Sequence, residues 1–462
     1  MTRTNKDHAL VLGGGIGGLL AARVLADTYD RVTLIDRDRM PVLGEHRRGV
    51  PQGRHVHGLL ARGQQILEEL FPGLTAGLVA QGALAGDLLA NCRWYLNGHR
   101  LRQTDSGLTA LCARRPLLEG TVRARVLGRA NVTLREGFDI VGLTATPDSR
   151  RVTGARIMGR SDDGTVEDLV ADLVVDATGR GSRLPRWLER LGYDAPPEER
   201  IRIRLAYATR AYRLPADALG GDLVVINGAT REQLRGGLVQ LVGGEMALVT
   251  LTGRLGDVPP TDPDGFLAFA GSLPFPDIHR SIRDAEPLDE PVPFRFPESV
   301  WRRYDRLRRM PAGLLVIGDA VCRLNPQYAQ GMSVAALEAL VLREHVRAGD
   351  PDPRGFLRDV ARVINGPWKI SSGADLGLPG VEGRRTPMGR VMNRYVARLH
   401  ATAAADAEAA ASFVRVAGLV DPPDRLLRPA LAARVLRRTG LSGGALRQGE
   451  SGDHAVAQIG RT

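Results

Sequence analysis

The feature that most constrains the fold is a glycine-rich turn near the start of the chain, Gly13-x-Gly15-x-x-Gly18. The apolar run HALVL precedes this turn, a helical stretch follows it, and a second apolar run, RVTLID, ends at Asp36. Strand, turn, helix and strand make a βαβ unit, in which the glycines permit a tight turn, a close backbone approach to a diphosphate and close helix–strand packing. The unit therefore predicts a dinucleotide site, with the diphosphate at the start of the helix and a ribose hydroxyl on Asp36.

Two later segments have the character of buried strands. ADLVVDATG (171–179) and GLLVIGD (313–319) are apolar almost throughout, as in strands that are covered on both faces, and they end near Gly, Asp or Thr. Between them, from 201 to 254, apolar and polar residues alternate, which predicts an antiparallel sheet. We therefore expect an α/β fold, in which a Rossmann-like domain is interrupted by an inserted antiparallel-sheet domain and followed by a helical C-terminal part.

Composition excludes several other classes of function. The formal charge is +11, but the basic residues, 61 of 63 being arginine, are scattered among acidic ones without aromatic platforms, so we expect no nucleic-acid partner. The cysteines match neither a disulfide framework nor a metal-ligand spacing, so no metal site is predicted. No apolar run is long enough to span a membrane and the first residues do not resemble a secretory signal, so a cytoplasmic location is expected.

The segment 313–339, GLLVIGDAVCRLNPQYAQGMSVAALEA, resembles the second FAD motif of the flavoprotein monooxygenases related to para-hydroxybenzoate hydroxylase. The resemblance implies an FAD-binding domain of the glutathione-reductase type. It also implies that Asp319 lies beside the ribityl chain or the diphosphate, and that Pro326 shapes the loop beside the flavin ring. The backbone amides of Gly331 and Met332 would face the pyrimidine edge, where reduced flavin is anionic and a helix N-terminus stabilises negative charge.

Two more segments resemble FAD motifs of the same superfamily. Arg115 opens the segment Arg-Pro-Leu-Leu, which is similar to an Arg-x-x-Leu motif whose arginine contacts FAD. The segment DATGRGSRLPRWL, which includes Gly179, is similar to a motif that touches both FAD and NAD(P)H. Arg180 replaces the acidic residue of that motif, so NAD(P)H binds either directly or to a separate flavin reductase that supplies the electrons. Further candidate FAD contacts are Arg37 and Arg48.

The segment 46–73, HRRGVPQGRHVHGLLARGQQILEELFPG, gives a narrower resemblance, to the bacterial flavin-dependent epoxidases of polyether polyketide assembly. In those enzymes an FAD C4a-hydroperoxide transfers oxygen to the carbon–carbon double bonds of a linear polyene. The resemblance implies an FAD-dependent monooxygenase that uses O2 and epoxidises a hydrophobic polyketide or terpenoid. Ala329 departs from the pattern, because a glycine is usual at this position of the loop beside the flavin. We expect a monomer or a homodimer.

Oxygen transfer to an alkene requires a dry pocket rather than an obligatory general base, and no certain catalytic residue is identified. The candidate pocket residues are Tyr207 and Arg210 on the alternating segment, and Trp94. A structural pair within the sheet explains Tyr207 and Arg210 at least as well, and the pattern favours a core position for Trp94, although it falls near the expected pocket. His55 and His57 lie two residues apart in an Arg-rich segment. They contact flavin or substrate in one interpretation and belong to a solvated loop in the other.

Four alternative functions are compatible with a fold of this kind. Aromatic hydroxylation in polyketide tailoring needs the same cofactor, and a flavin-dependent alkene reductase similar to geranylgeranyl reductases shares the fold but delivers hydride. A flavin halogenase is disfavoured, because that group uses an active-site lysine and the two lysines, Lys6 and Lys369, lie outside the FAD motifs. The escort proteins of prenylated GTPases resemble the fold without holding flavin, but they have no need for Asp36 and Asp319 together.

The motifs divide the chain into successive regions. The FAD-binding domain is predicted in three segments, 1–84, 111–200 and 301–348. A substrate-pocket segment, 85–110, and an antiparallel-sheet substrate domain, 201–300, lie between them. A helical region, 349–440, and a flexible tail, 441–462, complete the prediction.

Overall fold

The computed structural model describes residues 6–47, 49–160 and 164–437. The strands of these residues, in chain order, are β1 (His8–Leu12), β2 (Arg31–Asp36), β3 (Leu84–Asp87), β4 (Cys92–Leu96), β5 (His99–Arg100), β6 (Thr109–Cys112), β7 (Val132–Glu136), β8 (Phe138–Ala145), β9 (Val152–Gly159), β10 (Val166–Val170), β11 (Leu173–Asp176), β12 (Glu198–Arg213), β13 (Val224–Asn227), β14 (Gly236–Leu241), β15 (Met246–Gly253), β16 (Val292–Arg302), β17 (Leu314–Val316) and β18 (Cys322–Arg323). The helices are α1 (Ile16–Leu25), α2 (Ala61–Leu70), α3 (Leu74–Ala80), α4 (Arg115–Leu127), α5 (Leu184–Arg190), α6 (Pro263–Gly271), α7 (Asp277–Ile282), α8 (Gly331–Ala348), α9 (Pro353–Gly377), α10 (Pro387–Ala403), α11 (Ala407–Ala417) and α12 (Pro429–Arg437).

A parallel sheet of five strands, in the order β17-β11-β1-β2-β7, forms the first layer. Strands β1, β11 and β17 are buried along their whole length, as the continuous apolar runs predict. Their carboxyl ends lie at one edge of the sheet, because parallel neighbours point the same way. The predicted α/β class, with its Rossmann-like domain, is confirmed.

An eight-stranded sheet, in the order β18-β16-β12-β15-β14-β13-β4-β5, forms the inserted domain. Strands β12 to β16 pair antiparallel, as predicted, and lie in the order β16-β12-β15-β14-β13. Strand β4, from the predicted pocket segment 85–110, joins it by pairing in parallel with β13. Helices α6 and α7 cover one face, where Phe266 and Ile278 pack with Ala208 and Tyr212. The opposite face is turned toward the parallel-sheet domain.

Helices α9 to α12 form the C-terminal part, and α9 packs against α8, β12 and β17. This agrees with the predicted helical character of 349–440 as far as residue 437. The predicted tail, 441–462, lies outside the described residues. Over the described part of the chain, no helix combines the length and the apolar character that crossing a membrane requires.

Candidate functional site

The glycines of the first turn have different neighbours. Gly13 has a φ of +103°, and a Cβ there would lie 2.6 Å from the Ala177 carbonyl oxygen. A Cβ on Gly18 would lie 1.7 Å from the Gly13 carbonyl oxygen, so α1 approaches the turn more closely than any side chain permits. A Cβ on Gly15 would meet no heavy atom within 4 Å. Gly13 and Gly18 are therefore required by the fold, whereas Gly15 faces open space at the start of α1.

Two more glycines, Gly318 and Gly331, lie on the other side of this open space. Gly331, the first residue of α8, is exposed, and a Cβ there would also meet nothing within 4 Å. The same is true at Gly318, which has a φ of +68°. A Cβ on Gly17 would lie 3.9 Å from both Gly318 Cα and Ala335 Cβ, so α1, α8 and the 318 turn converge. The result is a cleft that backbone amides approach without side chains in the way, which fits a diphosphate cofactor.

Asp36 lies at one end of this cleft and is almost completely buried. Its Oδ2 accepts hydrogen bonds from the Gly14 amide and from Arg47 Nη2, both at 2.6 Å, and its Oδ1 accepts one from the Asp38 amide at 2.8 Å. Arg47 also pairs with Asp38 and Glu119. Because each carboxylate oxygen can accept two hydrogen bonds, Oδ1 can accept a second one from a ribose hydroxyl.

Of the two other arginines predicted near the cofactor, Arg48 lies outside the described residues. Arg37 is exposed and lines a surface depression together with Arg39, Arg135 and Phe138. The structure thus brings Arg47, rather than Arg37, onto the Asp36 carboxylate.

Segments that are far apart in sequence meet at Asp319. The buried Asp176 accepts hydrogen bonds from the side chains of Thr178 and Ser182, both at 2.6 Å, and so fixes the turn that contains Gly179. A Cβ on Gly179 would lie 3.9 Å from the Asp319 Cβ. The Asp319 side chain is exposed to the cleft, yet the protein around it excludes enough water to raise the pKa of its carboxyl. Four cations oppose that shift, namely Arg323, Arg115, Arg180 and Arg302. Four positive charges around one carboxylate suit an anionic ligand.

Glu338 supports this turn and was missed by the sequence analysis. It is fully buried on α8, and one carboxyl oxygen accepts a hydrogen bond from the Gly318 amide. Among the described residues its other oxygen, Oε1, has no hydrogen-bond partner. Burial raises the pKa of Glu338 to about 8. The available signal was its position as the one charged residue of the apolar run 332–342.

The loop after β18 contains the position expected beside the flavin ring. Pro326 begins a short 3-10 turn and is exposed, and Met332 is buried just inside α8. Ala329, which departs from the family pattern, has a φ of +53°, a conformation that usually favours glycine. A Cβ on Gly58 would lie 2.8 Å from the Ala329 Cβ, so any side chain at position 58 would clash with the Ala329 methyl group.

His55 packs against the inserted sheet, and His57 Nδ1 lies 3.0 Å from the His55 carbonyl oxygen. The ring of His55 is buried, its Nδ1 is 2.8 Å from Thr209 Oγ1, and its centroid is 4.7 Å from that of Tyr207. The structure therefore excludes a solvated loop for His55. Burial lowers the pKa of His55 to about 4, with Arg54 adding to the effect, and burial lowers that of His57 to about 3. Both rings are neutral at pH 7.

The sheet face opposite helices α6 and α7 carries a row of side chains. Strand pairing aligns one residue from each of five neighbouring strands, Thr209, Thr250, Leu238, Ile226 and Trp94. With strands about 4.8 Å apart, this row is roughly 19 Å long. Its two threonine hydroxyls are 2.7 Å apart, and the three apolar members are partly exposed.

Two of the three predicted pocket residues share this face, and one does not. Tyr207, two residues before Thr209, stacks on Phe294 with centroids 5.0 Å apart. Arg210 is three residues from Tyr207, so it points to the other face, where its Nε donates to the Asp289 carbonyl oxygen at 2.8 Å. Its assignment to the same cavity as Tyr207 is therefore corrected by the alternation of the strand.

Comparisons with known proteins complete this description. No protein-family model matches the chain. The chain is 37% identical over 394 residues to "Protein Rv3254" of Mycobacterium tuberculosis. The alignment covers 81% of this chain and 81% of that protein. The structure of flavin-dependent brominase Bmp2 is similar, with a TM-score of 0.67 and 15% identity over 93% of this chain and 98% of that one. The structure of p-nitrophenol 4-monooxygenase PnpA from Pseudomonas putida DLL-E4 is also similar, with a TM-score of 0.62 and 15% identity. That match covers 90% of this chain and 99% of PnpA. At these identities the solved structures establish the fold.

Proposed function

The chain belongs to the same family as protein Rv3254 of Mycobacterium tuberculosis, and we propose that it is an FAD-dependent monooxygenase that transfers one oxygen atom from O2 to a carbon–carbon double bond. The observation that carries the proposal is the open cleft between the starts of α1 and α8, where Gly15, Gly318 and Gly331 leave the backbone bare. Asp36 at one end and Asp319 with its arginines at the other match the two halves of FAD.

Each group of this cleft has a role toward FAD. Asp36 accepts a hydrogen bond from a ribose hydroxyl, and the amides at the start of α1 and the Arg115 guanidinium stabilise the diphosphate. Asp319 accepts hydrogen bonds from the hydroxylated chain that leads to the flavin. The amides of Gly331 and Met332 stabilise negative charge on the reduced ring. When bound, FAD would activate O2 and supply the oxygen atom that is transferred.

The surroundings favour an apolar alkene as substrate. The row from Thr209 to Trp94 gives a long, mostly apolar surface beside the cleft, which suits an extended polyketide or terpenoid and helps to exclude water. Hydroxylation of a phenol gains from a base that removes the phenolic proton, and histidines with pKa values of about 4 and 3 are weak bases. Epoxidation therefore ranks above aromatic hydroxylation.

The positions of the lysines favour oxygen transfer over halogenation. Lys6 donates to the carbonyl oxygens of Val346 and Gly349 at the end of α8, and Lys369 is exposed on α9. Neither side chain is placed to act in the cleft. NAD(P)H is the proposed source of electrons, and the exposed Arg180 in place of an acid favours delivery by a separate flavin reductase.

The test is reconstitution with FAD followed by turnover under 18O2, with reduced flavin supplied chemically and with polyenes and aromatic polyketides as substrates. One atom of 18O in an epoxide supports the proposal. A product that gains two hydrogens and no 18O indicates the alkene reductase instead. A protein that binds no FAD is not a flavoenzyme, and the escort-protein alternative then stands.

A further inference from the structure

A buried carboxylate in the C-terminal part lies directly against the loop beside the flavin position. Asp375 is on the last turn of α9, fifty residues after that loop, and none of its surface is exposed. Both of its oxygens accept hydrogen bonds from Asn325 Nδ2, at 2.9 and 3.2 Å, and Oδ1 also accepts one from the Tyr328 hydroxyl at 2.7 Å. Asn325 and Tyr328 flank the exposed Pro326, so a single carboxylate ties together both ends of the turn.

The inserted sheet holds the same loop from the other side. Gln327 Nε2 donates to Thr252 Oγ1 at 3.0 Å, and the side-chain oxygen Oε1 of Gln327 accepts a hydrogen bond from Arg254 Nη2. Arg254 is also the cation whose charge acts on Asp375 through space. Loop 325–330 is thus fixed between the C-terminal helices and the substrate-facing sheet.

The contacts of Asp375 exceed what packing of α9 requires. Burying a carboxylate is unfavourable unless hydrogen bonds compensate it, and here the donors to Asp375, namely Asn325 and Tyr328, both belong to the loop. Ala329, at the end of the turn, is held at a φ of +53°, where a non-glycine residue persists only if its surroundings enforce it. An apolar residue at position 375 would allow α9 to pack, but the loop would lose its hydrogen bonds to α9.

We propose that Asp375 is a positioning residue which, through Asn325 and Tyr328, sets the conformation of loop 325–330 and thereby the placement of the flavin ring relative to the substrate-facing sheet. This inference rests on the proposed binding of FAD in the cleft. It gives the C-terminal helices a role in the site, because the carboxylate reaches the loop only from α9.

The test compares Asp375→Asn with Tyr328→Phe, and uses Asp359→Asn as a control. Asp359 lies on the same helix but pairs with His345 and Arg362 at the surface. Asp375→Asn replaces one carboxylate oxygen by an NH2 group, which faces the Asn325 Nδ2 donor and cannot accept its hydrogen bond. Tyr328→Phe removes the hydrogen bond from the Tyr328 hydroxyl and leaves the two from Asn325. Experiments are run at pH 8, because burial raises the pKa of Asp375 to about 6 and the carboxylate is ionised there.

Two measurements are made on each protein. Hydrogen exchange of the protein without cofactor should show faster exchange of the 325–331 amides in Asp375→Asn, with β1 unchanged and the control identical to wild type. At saturating FAD, the visible circular dichroism of the bound flavin should change in Asp375→Asn and less in Tyr328→Phe, with a dissociation constant for FAD raised about tenfold in the former.

The outcomes separate the two proposals. Unchanged exchange of 325–331, or an unchanged flavin spectrum beside a merely lower melting temperature, overturns the positioning role while FAD binding stands. A wild-type protein that binds no FAD overturns the proposed function, and the positioning role with it. If Asp375→Asn does not fold, Tyr328→Phe decides, because it retains the Asp375 carboxylate and its bonds to Asn325.

Discussion

Three glycines within four positions should respond in three different ways to the same added methyl group. At Gly18, a Cβ would lie 1.7 Å from the Gly13 carbonyl oxygen, so the start of α1 must retreat by roughly 1.3 Å to restore a contact of 3.0 Å. At Gly17, the nearest atoms are at 3.9 Å, which is an ordinary contact. At Gly15, nothing lies within 4 Å, and its φ of −75° is one that alanine adopts readily.

The expected magnitudes follow from these distances. Gly18→Ala overpacks a closed interface and should lower the free energy of unfolding by about 3 kcal/mol, or the melting temperature by about 3 °C for a chain of this size. Gly17→Ala should stay within about 1 kcal/mol of wild type, because alanine is the better helix former. Gly15→Ala should leave stability unchanged and weaken FAD binding roughly a hundredfold, which corresponds to about 2.7 kcal/mol.

The assays are thermal unfolding of the protein without FAD and titration with FAD followed by flavin fluorescence. Gly17→Ala is the matched control, because it carries the same change on the same turn. If Gly15→Ala binds FAD as tightly as Gly17→Ala, the diphosphate does not lie against Gly15 and the assignment of the cleft is wrong. If Gly18→Ala is as stable as wild type, the close approach of α1 to the turn is not required.

Three further predictions concern single side chains. The buried Glu338, with its pKa raised to about 8 from 4.5, keeps a proton that the unfolded chain releases, so the free energy of unfolding should fall by about 3 kcal/mol between pH 4.5 and pH 7. Glu338→Gln removes this titrating group, so the melting temperature of the variant minus that of wild type should increase by about 3 °C from pH 4.5 to pH 7. If this difference between the two melting temperatures is the same at both pH values, the raised pKa is contradicted. Asp36→Asn should raise the dissociation constant for FAD about tenfold, with FMN, which lacks the adenosine ribose, as the control ligand whose affinity stays the same. Trp94→Ala should raise KM for long apolar substrates several-fold and leave the rate of flavin reduction unchanged, and an unchanged KM would remove Trp94 from the substrate surface.

Much of the fold could be predicted because its signals are local. The glycine spacing before α1 and the apolar runs of β1, β11 and β17 each describe a strand or turn by its own residues. The alternation along β12 was visible as well, and it already implied that residues three apart lie on opposite faces. By that rule Arg210 lies on the face opposite Tyr207, as the structure shows.

The parts that were missed depend on contacts between distant segments. Strand β4 enters the inserted sheet by pairing with β13, more than a hundred residues later, and no local pattern encodes that choice. Glu338 on α8 and Asp375 on α9 each share their helix with another acidic residue, and their importance comes from the loops that they face. Sequence periodicity shows that such residues are unusual, but only the packed structure shows what they hold.

The chemistry and the specificity of this site therefore rest on different parts of the chain. Backbone amides and glycines form the cleft proposed for the cofactor, so its motifs can be read in one sequence and say little about the substrate. The proposed substrate surface is a row across five strands, whose members are ordinary apolar residues and threonines. Loop 325–330 is hydrogen-bonded to that sheet through Gln327 and to α9 through Asn325 and Tyr328. Substitutions along the row should then change which double bond reacts, whereas substitutions that release the loop should change how tightly and in what orientation the flavin is held.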